Sequence, residues 1–129
     1  MTDQEIFEHV RAHLLKQNAQ SLSVDGSCAY RGEENRSCAV GCLITDKAYS
    51  PEIEGRGVRC LCAEGIWTAT HKNYSPLSKA LNESDVPAHA STRSLLVILQ
   101  YIHDKNHPST WARDLDKIVP FFKNGVFVP

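Results

Sequence analysis

Five cysteines and six histidines are the groups best suited to chemistry in this 129-residue chain. Three of the cysteines fall in one stretch, CAYRGEENRSCAVGCLI, residues 28 to 44. A thiol can serve as a metal ligand, a nucleophile or a small core residue. If residues 38 to 44 are helical, Cys38 and Cys42 project from one face a turn apart, and Gly41 lets another backbone approach closely. Cys38 would then sit in the first turn, where exposed amide hydrogens and the helix dipole favour the thiolate. Against this, free cysteine is among the most buried residue types, and CAVGCLI has the small and branched residues of a packed segment. Core packing is the preferred reading.

A nucleophile needs a base. His103 lies one turn beyond Leu99 on the most apolar helical stretch and next to Asp104, which makes it the best general-base candidate. Its alternative is a helix-end histidine near the C-terminal dipole, before a polar turn and a proline. The sharp hypothesis is a thiol enzyme in which Cys38 attacks an electrophile, His103 takes the proton and Asp104 orients the ring. Tyr30 and Arg31 are candidate ligand-binding residues, an aromatic face beside a guanidinium that could meet an anion. Tyr49 joins them, ringed in sequence by Asp46, Glu52 and Glu54, carboxylates that could hold a cation but that read more simply as helix-start and solvent residues. Zinc would require Cys28, Cys38 and Cys42 with Cys60 or Cys62. The spacings C-x9-C, C-x3-C and C-x-C lack the paired knuckles of structural sites, so no metal and no cofactor is assigned. His9 and His13 are a turn apart, as metal ligands can be, but fall off the apolar stripe toward solvent and imply no third ligand.

These groups must be positioned by mainly helical elements. Thr2 with Glu5 forms a capping-box pattern ahead of Ile6, Phe7, Val10 and Leu14 at helical spacing. SLSVDGSCAYRG alternates loosely about Asp25-Gly26, which predicts a small hairpin. Ser37 is a good N-cap for a short helix, CAVGCLI. Ser50-Pro51 and Ser75-Pro76 are further helix starts, and a short helix with a loop is expected between Gly57 and Tyr74. STRSLLVILQYIHD predicts a central helix buried on more than one side. A last helix starts near Ser109, with Trp111, Leu115, Ile118, Val119 and Phe122 on one face, and Pro120 should end or bend it. The apolar tail FFKNGVFVP is expected to fold back on the core, as an edge strand after the Asn124-Gly125 turn; a dimer or partner surface is the alternative. The fold class is α+β, mainly helical: one compact domain over residues 1–129, with long N-terminal, central and C-terminal helices and a small β-hairpin.

Composition narrows the partners. With 42% hydrophobic residues the chain is long enough for one real core. Fourteen basic against fifteen acidic side chains offer no broad field for nucleic acid or an anionic membrane. No run approaches the length of a spanning helix. The acidic, amphipathic opening MTDQEIFEHV is unlike a secretory leader, so a cytoplasmic protein with free thiols is expected.

The segments CAYRG (28–32), CAVGCLI (38–44), DKAYSPEIEG (46–55) and LQYIHD (99–104), followed by Trp111, resemble a group of small uncharacterised proteins of tailed phages and prophages. The resemblance implies an accessory protein in the host cytoplasm and no particular activity. Three function classes follow. First is binding of a host or phage protein, with a homodimer through the apolar tail as one form of it. Thiol chemistry comes second. Capture of a small molecule or nucleotide signal comes third, lowered by the absence of a phosphate-cradling glycine loop.

Overall fold

The computed structural model describes residues 1–57 and 75–129. The elements expected between Gly57 and Tyr74, with Cys60, Cys62 and His71, lie outside them.

Helix α1 spans Asp3–Gln17. The capping box forms as the sequence predicts: Thr2 Oγ1 accepts from the Glu5 amide at 3.1 Å, and the Thr2 amide donates back to Glu5 Oε1 at 2.9 Å. Asn18 closes the helix in the left-handed conformation, φ 49°. Ile6, Phe7, Val10 and Leu14 are fully buried, each contributing about 1.5–3 kcal/mol. Helix α2, Pro76–Glu83, starts on the Ser75 cap and packs on the single 3-10 turn Pro51–Ile53. Helix α3, Ala90–Lys105, is the central element, with Leu95, Leu96, Leu99, Ile102 and His103 buried. Helix α4, Trp111–Asp116, is flanked by 3-10 turns at Pro108–Thr110 and Val119–Phe121. Pro120 thus sits in a turn, as its missing amide hydrogen requires. No described helix is long and apolar enough to cross a membrane.

The hairpin lies at the C-terminus. Strands β1, Phe122–Lys123, and β2, Val126–Phe127, pair antiparallel about Asn124-Gly125, with Phe122 opposite Phe127 and Lys123 opposite Val126. The stretch about Asp25-Gly26, expected to be a hairpin, closes as a tight antiparallel turn with the isolated bridge Leu22–Cys28 and the bonds Ser23 amide to Ser27 carbonyl and Ala29 amide to Ser21 carbonyl, but forms no two-strand ladder. The difference is packing: Phe127 is buried and its ring lies 5.3 Å from Phe122, which lies 5.1 Å from Phe7, whereas Val24 is 89% exposed. Buried Asp3 fixes the C-terminal hairpin further, accepting from the Phe127 amide at 3.0 Å and from the Thr92 hydroxyl.

CAVGCLI is tighter than the expected helix. One α-turn bond, Cys42 amide to Cys38 carbonyl at 3.0 Å, leads into the 3-10 turn Gly41–Leu43. Gly41 is required by close approach, since a Cβ there would lie 2.2 Å from the Tyr30 carbonyl oxygen. The segment is tied to α3 by the Val40 amide, which donates to Gln100 Oε1 at 3.0 Å.

Candidate functional site

The last two turns of α3 carry Gln100, His103 and Asp104 toward the strand-like segment holding Cys28. A cavity of about 200 Å³ is lined there by Cys28, Tyr30, Cys38, Arg56, Gln100 and Asp104, among others. Of the expected trio, His103 and Asp104 meet, and the cysteine that joins them is Cys28, not Cys38. One atom each from Cys28, His103 and Asp104 lie within 4.8 Å of one another.

His103 is fully buried, and its two ring nitrogens are both committed. The Ser21 amide donates to Nε2 at 2.9 Å. An amide nitrogen can only donate, so Nε2 holds its lone pair, and Nδ1 carries the proton that it gives to Asp104 Oδ1 at 2.7 Å. The ring stacks on Trp111, centroids 5.6 Å apart. Gln20 caps the helix end, its amide donating to the carbonyls of His103 and Asp104. The only basic nitrogen is therefore occupied by the backbone, which leaves no lone pair to take a proton from a thiol.

Asp104 also accepts from Gln100 Nε2 at 2.8 Å. Burial opposes its ionisation, but hydrogen bonds from His103, Gln100 and the Cys28 thiol hold its carboxyl below the usual range. The thiols run the other way. Burial, then the Asp104 carboxylate, pushes Cys28 up to about 11. Burial pushes Cys42 up to about 12 and Cys38 higher still. Cys38 is 1% exposed, its sulfur accepting from the Gly41 amide at 3.2 Å. The Cys42 thiol donates to the Ala39 carbonyl at 3.1 Å. All three are free cysteines held as thiols, the less nucleophilic form.

The same geometry answers the question of a metal. Among the described residues the three cysteines do not gather, and the cluster that does is Cys28, His103 and Asp104. A cation on His103 Nδ1 would move the ring proton to Nε2, facing the Ser21 N–H donor head on. These residues do not fit a metal.

The candidate ligand residues are organised by Glu54. Its Oε1 accepts from the Tyr30 amide at 2.9 Å, and its Oε2 from the Arg31 amide at 3.1 Å and the Tyr49 hydroxyl at 2.7 Å. Tyr30 is buried, its hydroxyl donating to the Arg56 carbonyl, so its ring offers no open face for stacking. Burial, then Glu54, pushes the Tyr49 hydroxyl up to about 12. The Arg31 guanidinium lies 4.4 Å from the centre of the Tyr49 ring and donates to the Ile44 carbonyl at 3.1 Å and to Asp46 Oδ1 at 2.8 Å. Glu54 thus has the structural role read from its sequence neighbourhood, but as a clamp on residues 30–31 and not as a helix cap. Glu52 follows Ser50, whose hydroxyl accepts its amide at 3.3 Å. His9 and His13 each donate from Nε2 to a carbonyl, of Cys42 at 3.2 Å and Ser37 at 2.8 Å, fastening α1 to the cysteine segment.

No protein-family model matches the chain, and neither does any curated protein or solved structure.

Proposed function

We propose that this protein acts by binding a macromolecular partner, a host or phage protein, and not by chemistry at its thiols. The resemblance of its cysteine segments to phage and prophage proteins suggests an accessory role in a bacterial cytoplasm, as an inhibitor or a counter to host defence. Two features support binding. His103, Cys38 and Cys42 are committed to internal hydrogen bonds, which suits a structural part for them. The observation that carries the reading is the outer face of the C-terminal hairpin.

Side chains alternate along a strand. With Phe122 and Phe127 turned to the core, the opposite face carries Lys123 and Val126; beside them Val128 is joined to Phe121 by an amide to carbonyl bond of 2.7 Å, the half-exposed Phe121 ring meeting the Phe127 ring edge-on at 6.4 Å. Phe121, Val126 and Val128 are 43–45% exposed, and Val119 beside them is 43% exposed. Such a grouped apolar surface is what an interaction face needs and what a solvated terminus avoids. The test places a photo-crosslinking amino acid at Val126 and exposes the protein to host lysate. The expected result is one discrete adduct, lost in the Phe121→Ser/Val128→Ser variant. Adducts spread over abundant proteins, or unchanged by that variant, overturn the reading; a self-adduct makes the partner a second copy.

A further inference from the structure

A second cavity, of about 510 Å³, runs between α1 and the segment from Arg31 to Asp46. One wall is the helical stripe His9, His13 and Lys16; the other holds Arg31 and Arg36, brought together by the Arg31–Ser37 bridge. Among the described lining residues, Lys16, Arg31 and Arg36 face one carboxylate, Asp46, in a chain whose net charge is −1. The positive charge is gathered here by folding, not by composition.

The acidic partners of both arginines are exchangeable, while Arg31 stays anchored by the Tyr49 ring and the Ile44 carbonyl. Arg31 pairs with Asp46 and Arg36 with Glu34 at 2.7 Å, and these acids have side chains 96% and 70% exposed. Exposed ion pairs of this kind contribute little to stability, so an incoming anion can replace either carboxylate. The histidines fix the wall: their carbonyl partners can only accept, so each Nε2 bears the hydrogen that ties α1 to the cysteine segment.

We propose that this cavity binds a small, multiply charged phosphorylated molecule through Lys16, Arg31 and Arg36. Guanidinium forks and an ammonium group match phosphate oxygens in geometry and charge. The volume lies within the range of small-molecule sites. No aromatic side chain is among the described lining residues, so a nucleic-acid strand would find no stacking platform, and the ligand is recognised by its phosphates. The site shares no lining residue with the hairpin face and stands or falls independently of the proposed partner.

The test is calorimetric titration with inorganic pyrophosphate in phosphate-free, low-salt buffer, with amide NMR to locate the response. Saturable one-to-one binding is expected, with shifts confined to residues 9–16 and 31–46. The Lys16→Ala/Arg36→Ala variant should bind about tenfold more weakly or worse, and Arg36→Lys, which keeps charge but loses the fork, should fall between. The exposed control Lys105→Ala/Lys117→Ala should bind like the parent. No saturable binding at about 10 mM, far weaker than specific phosphate sites, overturns the proposal. So does an equal loss in the control, which would mean general attraction, or shifts elsewhere in the chain.

Discussion

Replacing His103 by leucine tests the hydrogen-bond assignment on which the account of the thiols rests. Leucine keeps a comparable volume and helix propensity but removes both ring nitrogens and the stack on Trp111. The Ser21 amide, in a residue 0% exposed, loses its acceptor, and an unsatisfied buried donor costs about 1–3 kcal/mol. Losing the ring stack adds about 0.5–1.5 kcal/mol. Asp104 loses one donor, but its side chain is 29% exposed and water can replace it. The expected destabilisation is about 2–4 kcal/mol, and with a urea m-value of about 1.5 kcal/mol/M the midpoint falls by about 1–3 M. A shift below about 0.5 M would show that Nε2 is not the acceptor of the Ser21 amide. A long-range nitrogen–proton NMR spectrum of the parent gives the direct check. A proton on Nε2 instead of Nδ1 would refute both the argument against a general base and the argument against a metal.

Cys28 should react slowly with a disulfide reagent at pH 7, where a thiol of pKa about 11 is ionised to only about one part in 10⁴. Asp104→Asn, by removing the nearby negative charge, should accelerate it, and an unchanged rate would count against the Cys28–Asp104 contact. The depressed Asp104 carboxyl contributes stability present above its unfolded pKa and lost as pH falls through the lower folded value. Denaturation midpoints should therefore drop in that acid window for the parent and drop less for Asp104→Asn. Glu54→Gln presents an NH₂ to one of three donors, so it should cost about 1–3 kcal/mol. Ultraviolet titration should show the Tyr49 hydroxyl moving down from about 12; no movement would show that Glu54 does not contribute to that shift.

The cysteine segment shows how far local signals reach. Ser37 followed by an apolar run read as a helix, and the chain does make one turn there. The turn goes no further as α-helix because Gly41 packs directly on the Tyr30 backbone, a contact with no counterpart in periodicity. Gly41 itself was legible as a point of close approach; its neighbour was not. The preference for core packing at Cys38 matches its burial. Cys28 gave no sign of meeting Asp104, 76 positions along.

The elements followed from the sequence because their causes are local. The Thr2 capping box, the α1 stripe, the apolar α3 and the Asn124-Gly125 turn each depend on residues a few positions apart. What residues do once positioned depended on the tertiary fold. The His103 tautomer is fixed by an amide 82 residues away. Glu54 is assigned to two backbone amides more than 20 residues upstream, and three scattered cations come to line one cavity only when α1 lies against the Arg31–Ser37 bridge. A hydrogen bond or a field between distant segments is set by where the chain returns, and side-chain periodicity carries no record of that.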